Sequence, residues 1–413
     1  MLCNYFAGVV WVLPQSPVCH LYLLVCDISM TQFDDVRPYY DTEVRNTLDR
    51  LLIDPELTHA VTNLKFPRLS KYFGWLLKPL VQRKLSEQLA EVNSVQGFQQ
   101  VVEKYMTSMI ADATTSVTIS GLEKLNPQQA YLFISNHRDI AMDPAFVNWS
   151  LYHNDCNTLR IAIGDNLLTK PYVSDLMRLN KCFIVNRSAK APREKLKAAK
   201  HLSAYIYHSI VNEKSSIWIA QREGRAKDGC DKTNSAVLGM ITLNKPKDEK
   251  YSDYIKQLGI VPVSISYELD PCDAAKAREL YHQRTQGVYQ KEEHEDVKSI
   301  AMGITGNKGH VHIAFGDVLN GLYEGADELV AEIDRQILSH YVLHASNCIA
   351  YEMLHKKVPK VNYTDKHIAY DPSLLTEQIA KFTSRINALP KEQREIALAI
   401  YANPVINKLA TGY

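Results

Sequence analysis

The sequence predicts an α/β fold: a mixed, largely parallel sheet flanked by helices, with a helical N-terminal region before it and a helical C-terminal tail after it. Two observations carry the prediction. Between about residues 115 and 320 short β-rich runs alternate with helical stretches, and parallel strands need such crossover connections. On either side of that region the apolar residues recur at helical spacing instead. The 413 residues suffice for one large core or two modest ones.

The elements follow in chain order. Residues 1–29 form an apolar leader: no Asp, Glu, Lys or Arg occurs before Asp27, and Val9 to Leu13 and Leu21 to Val25 are apolar runs split by Pro14-Gln15-Ser16-Pro17. A spanning helix wants about 20 largely unbroken apolar residues, which the prolines interrupt. A secretory signal usually carries a basic start, absent here. Three readings stay open: an upstream mis-start before Met30, a membrane anchor, or a cleaved signal. Residues 30–114 read as helical, with Val44, Leu48, Leu51 and Leu52, then Leu85, Leu89 and Val92, then Val101, Val102, Tyr105, Met106 and Met109 at helical spacing. Over 115–320 the β-rich runs are 117–119, 131–134, 159–163, 182–185, 217–220, 260–266 and 311–315. A helix from Pro192 carries Leu196, Ala199, Leu202, Ile206 and Ile210 on one stripe, with proline suited to its first turn. Residues 321–413 return to helix: Leu329, Ile333, Ile337 and Tyr341 share a face, and Asp371-Pro372 reads as a cap followed by a first-turn proline.

Composition narrows the function classes. Apolar residues at 46% and charged residues at 23% exclude disordered and fibrous classes. With 47 Lys and Arg against 46 Asp and Glu, the net charge of +1 argues against a nucleic-acid coat. The 8 cysteines are scattered, with no Cys-x-x-Cys pair, which excludes zinc ribbons and disulfide scaffolds and fits a reducing compartment.

Four blocks concentrate polar chemistry after strands, where sites of open α/β folds gather. The first is Ser135-Asn136-His137-Arg138-Asp139-Ile140-Ala141-Met142-Asp143-Pro144. A histidine with an unperturbed pKa of about 6.5 can accept a proton at neutral pH, and a carboxylate can fix its tautomer. The plainer reading is an Asp143 that merely caps a helix and an ordinary loop histidine. The second block is Phe183-Ile184-Val185-Asn186-Arg187, whose arginine could grip a phosphate through two nitrogens or simply be solvated. In the third, Gln221-Arg222-Glu223-Gly224-Arg225-Ala226-Lys227, the glycine lets backbone approach a ligand; a basic surface turn is the alternative. The fourth, Val261 to Tyr267, contains Pro262, which suggests a strand start, an edge or a bulge.

Taken in order, the four blocks resemble the glycerolipid acyltransferase family, which includes glycerol-3-phosphate and lysophosphatidate acyltransferases; the resemblance covers about residues 115–320. It implies that His137 and Asp143 are catalytic, His137 as general base oriented by Asp143. It implies a substrate-binding set of Arg138, Asn186, Arg187, Glu223, Gly224 and Arg225. The reaction would move an acyl group from acyl-CoA or acyl carrier protein to 1-acylglycerol-3-phosphate or glycerol-3-phosphate, with no metal or bound cofactor. Three departures stand out. Five residues separate His137 from Asp143, one more than the family spacing, Arg222 replaces a proline, and Ala226 replaces a common serine. On a continuous helix that His–Asp separation points the two apart. A loop or bulge before Pro144 is therefore needed, unless Asp139 takes the role; the Asp-Pro pair favours Asp143.

Two segments address partners. Residues 65–84 carry Lys65, Arg68, Lys71, Lys78, Arg83 and Lys84 with Phe66, Tyr72, Phe73 and Trp75 and no acid before Glu87. Such a mixture suits a lipid headgroup region, and places the protein peripherally on the inner face of the cytoplasmic membrane; a core helix with a solvated basic face is the alternative, since Pro67 and Pro79 interrupt a long amphipathic helix. Lys190, Arg193, Lys195 and Lys197 could meet CoA phosphates or an acidic carrier, or be a solvated helix face. His310 and His312 share a strand face, but a metal site needs further ligands. The competing functions are a catalytically silent lipid- or acyl-binding protein on the same scaffold and a thioesterase, and the His137–Asp143 distance discriminates the first.

Overall fold

The computed structural model describes residues 32–411 apart from Pro67 and Glu293; the apolar leader 1–29 lies outside the described residues. The N-terminal region folds as helices α1 (Asp41–Leu52), α2 (Pro55–Lys65), α3 (Ser70–Leu89) and α4 (Val95–Ala113). Local chemistry sets their boundaries. Asp54 accepts the amides of Glu56 and Leu57, with Pro55 in the first turn, and Ser94 accepts the amide of Gly97. Val44, Leu48 and Leu51 of α1 pack with Leu89, Val92 and Phe98 in a small core of their own. The interruption expected in this region falls at Phe73, where α3 is two helical pieces joined across a kink (φ −120°, ψ 20°), while Pro79 sits inside the second piece.

All seven anticipated strands are present: β1 (Ser116–Ser120), β2 (Leu132–Ser135), β3 (Arg160–Gly164), β4 (Cys182–Val185), β5 (Ile217–Ala220), β6 (Ile260–Tyr267) and β7 (His310–Phe315). They form one sheet in the order β1-β7-β6-β2-β5-β3-β4. Strands β6, β2, β5, β3 and β4 run parallel; β7 turns antiparallel to β6 and pairs in parallel with β1. The crossovers are α5 (Met142–Tyr152), α6 (Pro171–Leu179), α7 (Pro192–Tyr207), and α8 (Ser235–Ile241) with α9 (Tyr251–Leu258); α10 (Asp273–Gln286) and α11 (Glu295–Thr305) link β6 to β7.

Alternation along the strands feeds two cores. Leu132 and Ile134 of β2 join Ile217, Ile219 and Ile260 beneath α7, while Phe133, Trp218, Val261 and Val263 face α5 on the other side. The anticipated stripe of α7 starts one turn late: Leu202, Ile206 and Ile210 are buried, but Leu196 is exposed. Pro262 is not at a strand start or edge; it lies buried inside the central strand β6, paired in parallel with Ile134. The sheet tolerates it because the β6–β7 ladder begins only at Val263, opposite Phe315. The Pro262 carbonyl accepts from the Gly316 amide, just past the end of β7, so the absent N–H faces chain that is leaving the sheet.

The C-terminal region comprises α12 (Ala326–His340), α13 (Ala345–His355), a small hairpin of β8 (Asn362–Tyr363) and β9 (Ile368–Ala369), α14 (Thr376–Asn387) and α15 (Lys391–Ala410). Asp371 does cap, but what it caps is the short 3₁₀ turn Pro372–Leu374. These helices join α10 in a third core around Cys348, Ile349, Phe382, Ile386, Ala397 and Ile400. Charge fastens this layer to the sheet. Fully buried Lys276 of α10 pairs with Asp270 and donates to the carbonyl of Arg138 at 2.7 Å, while Arg385 and Tyr401 both donate to Asp273. Lys276→Met would strand the Asp270 carboxylate, and losing one partner of a buried pair costs about 3–5 kcal/mol. A lowered urea midpoint checks this, with far less change expected from an exposed pair such as Arg83→Ala.

His310 and His312 share the anticipated face, yet their partners are hydroxyls. Thr118 Oγ1 lies 2.8 Å from His310 Nε2 and 2.7 Å from His312 Nδ1, and Ser120 Oγ lies 3.0 Å from His312 Nε2. Among the described residues no group of three or more His, Cys, Asp and Glu side chains could hold a metal. Burial first, then the neighbouring histidines, lower His312 to about 4 and His344 to about 3. Both rings fold neutral and gain protons only on unfolding between those values and the ordinary one near 6.5, so stability falls as pH falls through that window. At pH 5 each contributes a loss on the order of 2 kcal/mol. Thermal melts at pH 7.5 and pH 5 should show a clear drop in Tm at the lower pH.

Candidate active site

Because β2, β3, β4 and β5 run the same way, their carboxyl ends open on one edge, and three of the four sequence blocks emerge there. The loop after β2 is held at both sides. Asn136 is fully buried and uses its side-chain amide as a strand would: Nδ2 donates to the Ile265 carbonyl at 2.9 Å and Oδ1 accepts the Ile265 amide at 2.8 Å. It thereby extends the β2–β6 pairing by one residue while its own backbone turns away. Trp218 donates its indole N–H to Ser135 Oγ at 3.0 Å and meets the His137 ring edge-on, with centroids 5.8 Å apart.

His137 and Asp143 are in contact. Nδ1 of His137 lies 2.8 Å from Asp143 Oδ2. The loop between them supplies what the extra residue demanded: α5 starts only at Met142, so Asp143 sits in its first turn and the chain from Arg138 to Ala141 folds back over the carboxylate. Oδ2 also accepts the amides of Arg138 at 2.6 Å and Asp139 at 2.9 Å, and Oδ1 accepts the phenol of Tyr267 at 2.6 Å. Asp143 is 0% exposed and the His137 side chain 13%. An ionised carboxylate can only accept, so Nδ1 carries the ring proton and Nε2 is the nitrogen with a free lone pair. Asp139 takes the capping role instead: its Oδ1 accepts the amides of Ala141 and Met142 at 3.0 and 2.9 Å. Burial and then the Asp143 charge raise its carboxyl above the ordinary range. Gly303 makes room for it, since a Cβ there would lie 2.1 Å from Asp139 Oδ2.

The second and third blocks converge beside this pair. Arg187 and Glu223 form an ion pair at 3.6 Å. Asp165, after β3, accepts the amides of Arg187 and Ser188 at 3.1 Å each, and Gly164 leaves the space that Arg187 fills: a Cβ there would meet its Cδ and Nε at 3.0 Å. Gly224 has φ +72°, the left-handed region that glycine adopts without strain. The Ala226 amide donates to the His137 carbonyl at 2.7 Å, tying the third block to the first, and the Ala226 side chain is fully buried, where a serine hydroxyl would need a partner.

His137, Arg187, Glu223, Gly224 and Arg225 line a cavity of about 640 Å³, together with Arg222 and Lys227. Apolar side chains also line it, including Met106, Met142, Trp149, Met177, Phe183 and Met240. Arg225 has a buried nitrogen, Nη1, with no hydrogen-bond partner among the described residues. Two expected substrate-binding residues are placed elsewhere. Arg138 turns away from the cavity into a buried ion pair with Asp231, Nη2 to Oδ2 at 2.6 Å, where it secures the loop instead. Asn186 is exposed and its Oδ1 accepts from Ser188 Oγ and the Ala189 amide, closing a local turn. Asp231, Lys276 and the Tyr267 phenol were not singled out from sequence; only Tyr267 left a trace, as the last residue of a strand run whose carboxyl end faces the site.

Comparison with known proteins adds the following. Residues 116–266 match the family model named Acyltransferase. Among solved structures, the chain is similar to the 1-acyl-sn-glycerophosphate (LPA) acyltransferase PlsC from Thermotoga maritima, at 16% identity over 59% of this chain and 78% of that one, with a TM-score of 0.33. No curated protein sequence matches the chain. The family match covers the ordered blocks up to Ser266, so it is over residues 116–266 that the chain is similar to an acyltransferase domain.

Proposed function

We propose that this enzyme transfers a fatty acyl group from a thioester donor, acyl-CoA or acyl carrier protein, to the hydroxyl of a glycerol-phosphate-type acceptor, either glycerol-3-phosphate or its 1-acyl derivative. The observation that carries the reading is the His137–Asp143 pair, whose histidine lines a cavity that also contains several cations and many apolar side chains. In this reading Nε2 of His137 takes the proton of the acceptor hydroxyl as its oxygen attacks the thioester carbonyl. The carbon–sulfur bond then breaks, and the imidazolium returns the proton to the departing thiolate, leaving an ester and a free thiol. Asp143 stabilises the transient imidazolium, and general-base help of this kind is worth about 10²–10⁴-fold. Arg187 and Arg225 hold the acceptor phosphate, and the unsatisfied Arg225 nitrogen supports that role. The methionine-rich wall takes the acyl chain.

Purified enzyme given acyl-CoA and either acceptor should release thiol in proportion to ester formed. His137→Ala should lower that rate by about 10³-fold or more, and Asp143→Asn by at least about 10². Thiol release independent of any acceptor would identify a thioesterase instead.

The same reading puts the protein on a membrane surface. Leu69 just before α3, and Tyr72, Phe73, Leu76 and Leu80 along it on both sides of the kink, are all exposed, as is Trp75; Tyr72 is 78% and Trp75 75% exposed. Lys71, Lys78, Arg83 and Lys84 accompany them, and each cation near an anionic leaflet adds about 1 kcal/mol. Among the described residues no helix is long and apolar enough to cross a membrane. Wild-type protein should float with phosphatidylglycerol-containing vesicles in a density gradient, whereas a Tyr72→Glu, Trp75→Glu double variant, altered only at exposed positions, should stay at the bottom.

A further inference from the structure

We propose that Tyr267 is a positioning residue for the acyl transfer, its phenol fixing the rotation and the charge of Asp143 and, through Asp143, the basicity of His137. The inference rests on the reading of His137 as general base. It starts from a count of lone pairs. Oδ2 of Asp143 faces three donors, His137 Nδ1 and the Arg138 and Asp139 amides, whereas Oδ1 meets the Tyr267 hydroxyl at 2.6 Å. The carboxylate is shut off from water, so no solvent molecule shares that work.

Tyr267 itself is well placed to hold still. It ends β6, the ladder to β7 pairs it with Val311, and its ring packs edge-on against Phe146 of α5, with centroids 5.9 Å apart. The carboxylate is thus gripped between the helix that carries it and a strand on the far side of β2. Burial first, then Asp143, hold the phenol well above its ordinary value, so it is a neutral donor at neutral pH. Tyr267 lies one residue beyond the family match at 116–266.

A donor on Oδ1 draws charge away from the oxygen that faces the imidazole. Removing it leaves more negative charge for the ring to feel, which favours the imidazolium and raises the His137 pKa. The other charged groups packed around the pair are Asp139, Asp231, Asp270, Arg138 and Lys276, with Arg225 on the cavity side, and Tyr267→Phe alters none of them. The ring also stays, so packing against Phe146 is retained.

The test has two arms. In the full-length Tyr267→Phe protein, NMR titration of the His137 ring should show its pKa raised by about half a unit or more, with no substrate present. In the acyl-transfer assay kcat should fall about tenfold with KM for both substrates within about twofold, and the acid limb of the pH profile should move up in step with the titration. In an Asp143→Asn background the added Tyr267→Phe change should cost little more, because the phenol acts through the carboxylate. An unmoved His137 titration together with an unchanged kcat would overturn the proposal, as would a tenfold loss that persists undiminished on Asp143→Asn. If His137→Ala kept full activity, the general-base reading would fall, while the titration would still report separately whether the phenol grips the pair.

Discussion

A carboxylate taken wholly out of water stays charged only if its lone pairs are filled, and the loop after β2 is built around that demand. Asp143 draws two backbone amides, an imidazole N–H and a phenol onto itself. The two amides belong to the residues that follow His137, so satisfying the charge also bends the chain and delivers the ring. Folding the loop and assembling the pair are one event. Asp139 shows the alternative fate of an aspartate in the same loop: it closes the amides at the start of α5, and its carboxyl is driven toward the neutral form.

The loop is also held by buried charges far along the chain. Lys276 reaches from α10 to the Arg138 carbonyl, and Arg138 itself spans to Asp231 in the segment that follows the third block. These contacts connect the site to the C-terminal helices through buried charges, which tolerate little displacement because an unpaired partner would be stranded. The geometry of the His137–Asp143 pair thus depends on residues distributed from 136 to 276, far more than the short motif that contains the histidine. The cationic rim obeys the same economy: Asp165 fixes the backbone of Arg187, and Ala226 fixes its block to the carbonyl of His137.

Much of this was legible in the chain. Seven β-rich runs became seven strands because buried strands of a largely parallel sheet are dense in Val, Ile, Leu and Phe and are separated by clear helical periods. His137 and Asp143 were legible as a pair, as were Arg187, Glu223, Gly224 and Arg225, since parallel strands must deliver their following loops to one edge. Arg138 and Asn186 were misplaced for a simple reason. Adjacency in a motif says nothing about which way a side chain turns, and Arg138 found Asp231, 93 residues away. Pro262 read as a strand boundary because the position at which a neighbouring ladder stops cannot be seen from one strand alone. The His312 and Thr118 contacts, the Lys276 brace and the Tyr267 phenol are likewise long-range, and no local pattern announces them.

The bare Cα of Gly164 has one last consequence. A Cβ there would lie 2.4 Å from Asn166 Oδ1 and 3.0 Å from both Cδ and Nε of Arg187. Both side chains would have to shift for any larger residue to stand there, so the placement of Arg187 is sensitive to a glycine on the neighbouring strand. Enlarging that single position would displace the arginine while changing none of the donors on Asp143, which belong to other loops and strands.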